Sequence, residues 1–206
     1  MLDVVNLSCQ RGERRLFSGL TLSVASGKLL AVSGENGSGK TSLLRMLCGL
    51  LPPEQGTIRW QGTPVGELGE SYRGQFTYIG HLNGLKDDLT PLENLQFAAR
   101  LAGVEATEAA CREALQAVGL GPQIQRLPSG VLSQGQKRRS ALARLWVSMR
   151  PLWILDEPFA ALDDAATRSL TRRLEAHVKG GGIVVASTHQ EIGVAPEFMQ
   201  QARLAG

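Results

Sequence analysis

The stretch Gly34-Glu35-Asn36-Gly37-Ser38-Gly39-Lys40-Thr41 decides how this sequence is interpreted. It matches the pattern G-x-x-x-x-G-K-[ST] at every fixed position, between an apolar run at residues 29–32 and a helix-like segment at residues 42–50. Glycines let the backbone fold around an anion, and the N-terminus of the following helix adds a partial positive charge. The stretch therefore predicts a phosphate-binding loop between a buried strand and a helix.

Side-chain chemistry suggests roles within this loop. Lys40 is expected to reach the β- and γ-phosphates of a nucleotide, and the Thr41 hydroxyl is expected to hold Mg²⁺. The alternative is a glycine-rich turn with a chance Gly-Lys-Thr, but a strand before it and a helix after it favour the phosphate site. The predicted nucleotide-binding residues are Gly34, Glu35, Asn36, Gly37, Ser38, Gly39, Lys40, Thr41 and Ser42.

Composition is that of an ordinary globular protein. The 206 residues are 43% apolar and 20% charged, enough for one domain with a sizeable core. The net charge is +3, and the basic cluster at residues 137–139 is short and typical of a solvated face, so we expect no nucleic-acid partner. Neither a signal-peptide pattern nor an apolar window of about 18 residues is found, so any membrane role is expected to come through a partner.

The three cysteines, Cys9, Cys48 and Cys111, have neither metal-binding nor redox spacing. We expect them to be reduced, half-buried thiols of a cytosolic protein.

The front third of the chain is rich in strand patterns, with one helix after the glycine loop. Gly49 is expected to end that helix, and the polar residues 10–15 are interpreted as a turn. The segments with strand character are residues 2–7, 20–24, 56–62 and 75–81.

The middle of the chain is rich in Ala, Leu and Glu and is predicted to be helical. Thr90, Pro91 and Glu93 have the chemistry of an N-cap, first position and third position of a helix. A second helix is predicted over residues 108–118, and Ser133 is expected to cap a third that runs to about Met149.

The last third has the order strand, helix, strand, at residues 151–155, 165–178 and 183–188, whereas residues 196–206 have weak patterning. This order predicts an α/β core with helices on the faces of a mostly parallel sheet.

A pair of carboxylates, Asp156 and Glu157, directly follows the intensely apolar residues 152–155. At a strand end successive side chains point in different directions, so the two acids can take different roles. Asp156 is expected to hold Mg²⁺, and Glu157 to polarise the water that attacks the γ-phosphate. The alternative is a solvent-exposed acidic turn, which the nearby glycine loop makes less favourable.

Five motifs in order resemble those of ABC-transporter ATPases, over essentially the whole chain. The phosphate loop and residues 152–157 flank Leu132-Ser133-Gln134-Gly135-Gln136, which resembles the LSGGQ signature. The stretch Ala161-Leu162-Asp163 resembles the D-loop, and Ser187-Thr188-His189 resembles the switch region with its histidine. The resemblance implies the ABC ATPase fold: a P-loop NTPase (RecA-like) core with an N-terminal antiparallel β part and an inserted helical subdomain.

This resemblance also implies a mechanism and a domain layout. Two copies would pair head to tail and enclose two ATP·Mg²⁺, with each phosphate loop closed by the signature of the other copy. His189 would hydrogen-bond the γ-phosphate; a satisfied structural histidine is the alternative. The layout would be a single domain, with the core at about residues 1–81 and 150–206 and the helical subdomain at about 82–149.

Three positions depart from the family pattern. Gln134 replaces a glycine of the signature, and His81 stands where the family has the Q-loop glutamine. An imidazole can still bind a metal-bound water, although a surface histidine is the plainer interpretation. Arg11 falls near the aromatic residue that stacks on adenine; a guanidinium can stack on a base, and Phe17 is the alternative.

Within the family, residues 79–81, 142–146, 152–159 and 187–190 are similar to the ATP-binding subunit of the cytochrome c maturation (haem exporter) systems of Gram-negative bacteria. That similarity implies a peripheral protein on the cytoplasmic face of the inner membrane. Its implied partners are the membrane subunits CcmB, CcmC and CcmD and the haem chaperone CcmE. The alternatives are another small ABC exporter, a non-transport ABC ATPase and a nucleotide-binding module without catalysis.

Overall fold

The computed structural model describes residues 1–204, which divide into two compact units. The first unit comprises residues 1–78, 150–157 and the chain from residue 174 onward, and the second comprises residues 79–149 and 158–173. Across residues 1–204, no helix is both long and apolar enough to cross a bilayer.

The predicted elements occur in the predicted order with several boundaries moved, and several short elements and the last strand occur in addition. The strands are β1 (Leu2–Arg11), β2 (Arg14–Val24), β3 (Leu29–Gly34), β4 (Gln55–Trp60), β5 (Thr63–Pro64), β6 (Phe76–Ile79), β7 (Leu152–Asp156), β8 (Ile183–Ser187) and β9 (Met199–Leu204). The α-helices are α1 (Lys40–Leu47), α2 (Val65–Leu68), α3 (Glu70–Arg73), α4 (Pro91–Leu101), α5 (Glu108–Ala117), α6 (Gln134–Leu142), α7 (Arg144–Val147) and α8 (Asp164–Lys179).

Two sheets form the first unit. One is antiparallel, in the order β2-β1-β4-β5, and the other has five strands in the order β6-β7-β8-β3-β9. In the second sheet β3 runs parallel to both β8 and β9, and β7 runs parallel to β8. Every residue of β7 and β8 is buried, as expected of central parallel strands covered on both faces. The carboxyl ends of β3, β7 and β8 therefore meet at one edge.

Strand β9 was not predicted, because residues 196–206 show no clear alternation. A single 3-10 turn at Pro196–Phe198 leads into it, and its pairing with β3 runs from Met199 opposite Leu29 to Leu204 opposite Gly34. It is an edge strand of which only Leu204 is fully buried, so backbone hydrogen bonds rather than an apolar pattern define it. Residues 205 and 206 lie outside the described part of the chain.

The predicted turn at residues 10–15 is narrower than expected. Strand β1 continues to Arg11 and β2 starts at Arg14, so that only Gly12 and Glu13 form the turn. The polarity of the segment reflects exposure of the hairpin and not a break in strand pairing.

Helix α1 packs into the main core of the first unit through Leu43, Leu44, Met46 and Leu47. Strands of both sheets supply most of the rest of that core, including Val4 of the antiparallel sheet and Val32, Ile154 and Val185 of the five-stranded sheet. Helix α1 ends as predicted, with Gly49 in the left-handed region at φ 67°. Cys9, Cys48 and Cys111 are all buried, more fully than the sequence suggested, and none forms a disulfide within residues 1–204.

The three helices predicted in the second unit begin at the predicted residues. Thr90 and Glu93 form a capping box on α4, with Pro91 in the first turn, and Thr107 caps α5. The third helix is shorter than predicted: it ends at Leu142, and α7 follows as a separate short helix. The break lies at Ala143, whose carbonyl accepts from the Trp146 N–H three residues on, a tighter spacing than α-helical bonding allows.

One buried side chain ties the second unit together. The Asn94 amide nitrogen lies within 3.2 Å of the carbonyls of Lys86, Leu89 and Thr90 and 3.0 Å from the Ser129 hydroxyl. Its carbonyl oxygen accepts from the Lys86 N–H at 2.9 Å. Both Asn94 and Ser129 are almost completely buried. The side chain therefore joins the loop before α4 to the turn that precedes the signature sequence.

Asn94→Ala is expected to lower the free energy of unfolding by about 3 kcal/mol, because several buried polar groups lose their partner at once. Denaturant unfolding would measure the change, with Gln96→Ala on the partly exposed side of the same helix as control. A loss no larger than that of Gln96→Ala would contradict the assigned role.

Candidate functional site

The glycine loop joins β3 to α1 through backbone conformations that favour glycine. Gly34, Gly37 and Gly39 have φ values of 149°, 84° and 100°. A Cβ at Gly34 would lie 2.6 Å from the Ser38 hydroxyl and 2.7 Å from the Leu204 carbonyl oxygen. A Cβ at Gly39 would lie 3.0 Å from the Phe17 ring. The loop is therefore shaped by both conformation and packing, and larger residues cannot replace these two glycines without displacing neighbours.

Lys40 lies within this loop with only 7% of its surface exposed. Its ammonium donates to the carbonyl oxygens of Gly34 at 2.8 Å and Glu35 at 3.0 Å. These bonds hold the charge over the loop, where a phosphate would meet it.

Two further features of the loop suit an anion. Helix α1 begins without a side-chain cap and has no acidic residue in its first turn, so its first N–H groups remain available as donors. The Ser38 hydroxyl is buried and has no hydrogen-bond partner within residues 1–204. A buried hydroxyl without a partner is costly, and a phosphate oxygen in the loop would satisfy it.

Asp156 ends β7 with 2% of its surface exposed and is held by two hydroxyls. One carboxylate oxygen accepts from Thr41 at 2.9 Å, and the other accepts from Ser187 at 2.6 Å. The two residues predicted to hold Mg²⁺, Thr41 and Asp156, are thus in direct contact. Mg²⁺ commonly binds one or two protein oxygens and takes its other ligands from phosphates and water. The oxygens of Thr41 and Asp156 are suited to such a site.

Binding of Mg²⁺ by Thr41 and Asp156 would depend on the nucleotide. In the described chain no group of three or more His, Cys, Asp or Glu side chains could hold a metal ion alone. A magnesium ion at Thr41 and Asp156 would therefore need phosphate oxygens to complete its coordination.

Glu157 is held in an unusual backbone conformation next to Asp156. Its φ is 48°, a left-handed value uncommon for a residue with a side chain. Its N–H donates to the Ser187 hydroxyl at 2.9 Å, and its carboxylate lies 3.1 Å from Nε2 of His189. The acid and the histidine of the predicted mechanism are therefore adjacent.

Ser187 connects these parts, a role that its place in the sequence motif did not predict. It lies opposite Asp156 in the parallel pairing of β7 and β8, is completely buried, and bonds both Asp156 and the backbone of Glu157. The signal in the sequence was the position of Ser187 near the end of the predicted strand at residues 183–188.

Tyr78 is another neighbour of Asp156. Burial, together with the negative charge of Asp156, raises the pKa of the Tyr78 phenol, although a hydrogen bond with Arg45 opposes the shift. The phenol therefore stays neutral near the carboxylate at physiological pH.

The signature sequence lies in the second unit, at the start of α6. Ser133 is the N-cap and forms a capping box with Gln136, while Leu132 is buried and Gln134 is exposed in the first turn. A Cβ on Gly135 would lie 2.8 Å from the Ala161 carbonyl oxygen. Gly135 therefore lets the helix start approach the D-loop within its own unit.

The D-loop residue Asp163 has a structural contact of its own. Its carboxylate accepts from the Ala166 N–H at 2.8 Å, as a helix N-cap does for α8, and it lies 3.6 Å from the Arg139 guanidinium. Ala161 has a φ of 61°. The D-loop is thus tied to α6 and α8.

Comparison with known proteins identifies the family. The family model described as ABC transporter matches residues 17–160. Cytochrome c biogenesis ATP-binding export protein CcmA of Nitrosospira multiformis is 51% identical, covering 98% of each chain. CcmA of Dechloromonas aromatica is 52% identical over 99% of this chain and all of its own length. This chain belongs to the ABC transporter ATPase family, and within it to the group of CcmA.

Solved structures confirm the predicted ABC ATPase fold. A putative ABC transporter ATP-binding protein from Pyrococcus furiosus superimposes with a TM-score of 0.85 at 24% identity, covering 98% of this chain and 96% of that one. An ATP-binding cassette solved as a dimer in a post-hydrolysis state, bound to ADP and phosphate, also gives 0.85, at 23% identity and with coverage of 99% and 94%.

Two residues outside the signature depart from the ABC pattern, His81 and Arg11, and both are exposed. His81 lies in the turn after β6, and Arg11 is the last residue of β1. Phe17, the alternative for stacking on adenine, is 8% exposed and belongs to the core behind Gly39, so its ring is not available to a base. Arg11 remains the candidate.

Proposed function

We propose that this chain is the ATP-hydrolysing subunit of an ABC-type membrane complex in cytochrome c maturation. The observation that carries the enzymatic part is one connected set of contacts. It runs from Thr41 of the phosphate loop through Asp156 and Ser187 to Glu157 and His189. The cytochrome c assignment is supported by the CcmA relatives, whose names describe ATP-binding export in cytochrome c biogenesis.

In the proposed reaction, water attacks the γ-phosphorus of ATP and the bond to the bridging β–γ oxygen breaks, leaving ADP and phosphate. Glu157 accepts a hydrogen bond from the attacking water, polarises it and takes up its proton as the new bond to phosphorus forms, and the proton then passes to the released phosphate or to solvent. His189 donates to a γ-phosphate oxygen, and Lys40 stabilises the negative charge between the β- and γ-phosphates. Mg²⁺, bound by Thr41 and Asp156, would neutralise charge on the phosphates.

We further propose that the active form is a homodimer. Residues 132–136 start a helix that belongs to the second unit, and Ser133 and Gly135 lie in its first turn or cap. The positive end of α6 suits the γ-phosphate of ATP held by another copy. The dimeric ATP-binding cassette with the same fold supports this arrangement.

The proposed partners are membrane subunits, CcmB, CcmC and CcmD, with the haem chaperone CcmE, at the cytoplasmic face of the inner membrane. ATP hydrolysis would drive haem export or the release of haem-loaded CcmE. The second unit exposes large apolar side chains that a protein partner could cover: Leu82, Leu101, Val131 and Met149 are 71–87% exposed.

Complementation combined with purification tests this proposal. The tagged chain is expressed in a Gram-negative host that lacks its own CcmA, c-type cytochromes are quantified, and proteins extracted with the tagged chain are identified. We expect restored cytochromes and recovery of CcmB, CcmC and CcmD with wild type. Lys40→Ala should recover the partners without restoring cytochromes. Recovery of a different permease would favour another small exporter, and recovery of no membrane protein would favour a non-transport ATPase.

A further inference from the structure

Strand β2 runs along the phosphate loop and brings an arginine to it. The Leu16 Cβ and the Phe17 ring lie 3.1 and 3.0 Å from the point where a Cβ on Gly39 would stand. At the other end of the same stretch, Nη1 of Arg14 lies 3.8 Å from the corresponding point on Gly37. The Arg14 guanidinium therefore lies beside the loop that the sequence predicts to bind phosphate, although Arg14 belongs to none of the sequence motifs.

Arg14 also faces a like charge. It is paired directly opposite Arg11 across the β1–β2 hairpin, so both side chains leave the same face of the sheet. Both are exposed, and within residues 1–204 neither side chain forms a hydrogen bond or an ion pair. Like charges at directly opposed positions are destabilising, and within residues 1–204 neither arginine has a carboxylate at ion-pairing distance.

The neighbouring arginine shows a different arrangement. Arg15 is paired opposite Gln10, and its guanidinium lies 3.9 Å from the Glu54 carboxylate. Successive residues of a strand point to opposite faces of the sheet. Arg15, which has an ion-pair partner, therefore lies on the face opposite to that of Arg11 and Arg14. Of these three arginines, the two without an ion-pair partner within residues 1–204 therefore share one face, and from this face Arg14 reaches the phosphate loop.

We propose that Arg14 binds the phosphate chain of the nucleotide, an inference that rests on the proposed function. A planar guanidinium with five donors suits phosphate oxygens, and the triphosphate charge would offset the repulsion from Arg11. Arg14 thus adds hydrogen-bond donors beside Gly37 to those of the phosphate loop. Arg11 remains free to stack on the base.

Nucleotide affinity tests the proposal in the full-length chain. Displacement of a fluorescent ATP analogue by ATP, ADP and AMP would be measured for wild type, Arg14→Gln and Arg14→Lys, at low and high salt. We expect Arg14→Gln to weaken ATP binding about tenfold at low salt and AMP binding about twofold or less, because the contact is to the phosphate chain. Arg14→Lys should recover part of the loss, since it keeps the charge without the planar fork.

Arg15→Gln is the matched control and should leave the affinity for ATP unchanged. The melting temperature without nucleotide should not fall in Arg14→Gln, because the substitution removes a like-charge pair. The proposal is overturned if Arg14→Gln binds ATP as wild type does, or if ATP and AMP lose affinity equally. If wild type itself binds no ATP, the proposed function fails and this inference fails with it.

Discussion

Glu157→Gln is expected to slow ATP hydrolysis by about a thousandfold while leaving ATP binding intact. General-base catalysis contributes roughly 10²- to 10⁴-fold, and an amide cannot polarise the attacking water as a carboxylate does. The backbone N–H of Glu157 is bonded to Ser187, and that bond does not depend on the side chain. The isosteric amide should therefore occupy the same place, next to His189, with only its chemistry changed.

The same variant should accumulate as a dimer when ATP is added. If two copies close over two ATP molecules, blocking hydrolysis removes the step that reopens them. Phosphate release would give the rate, and light scattering after size exclusion would give the mass with ATP and with ADP. We expect a dimer with ATP alone.

Glu191→Gln is a matched control, because Glu191 is an exposed carboxylate only two residues after His189. It should hydrolyse ATP at the wild-type rate and, like wild type, dimerise only transiently, so that no dimer accumulates when ATP is added. A monomeric Glu157→Gln protein in saturating ATP would contradict the dimer mechanism, and an unchanged rate would remove Glu157 from the role of base.

The features that sequence predicted best are those decided by neighbouring residues. Thr90 and Ser133 each cap a helix through a residue three positions ahead, so their side-chain chemistry alone determines the helix start. The glycine loop is similar, because the positive φ values it requires are ones that its own glycines adopt without strain. The apolar runs at β7 and β8 identify buried strands, and parallel pairing then brings their carboxyl ends together.

The features that were missed depend on distant parts of the chain. Strand β9 is defined by pairing with β3, about 170 residues earlier in sequence, and has no strong pattern of its own. Ser187 gains its importance only from lying opposite Asp156. Arg14 resembles any exposed arginine until the hairpin register places it opposite Arg11 and β2 places it beside Gly37.

Lys40→Ala is expected to weaken ATP binding by at least about a hundredfold, equivalent to about 3 kcal/mol. Two effects add. The variant loses a charge-assisted contact with the phosphates, and it also loses the hydrogen bonds, 2.8 and 3.0 Å long, from Lys40 to the carbonyl oxygens of Gly34 and Glu35 that hold the loop in its conformation before ATP binds. Titration calorimetry with ATP would measure the loss, and hydrolysis should fall with it.

The control for Lys40 is Lys179→Ala, which removes an exposed lysine that pairs with Glu175 one helical turn earlier. An exposed pair of this kind contributes little, so affinity and rate should stay at wild-type values. Lys40→Arg separates the two effects in Lys40→Ala, because it keeps the positive charge but carries a larger head that does not fit the buried position of the ammonium. If Lys40→Arg bound ATP as tightly as wild type, charge alone would account for the role of Lys40. If Lys40→Ala did so, the loop would not be the phosphate site.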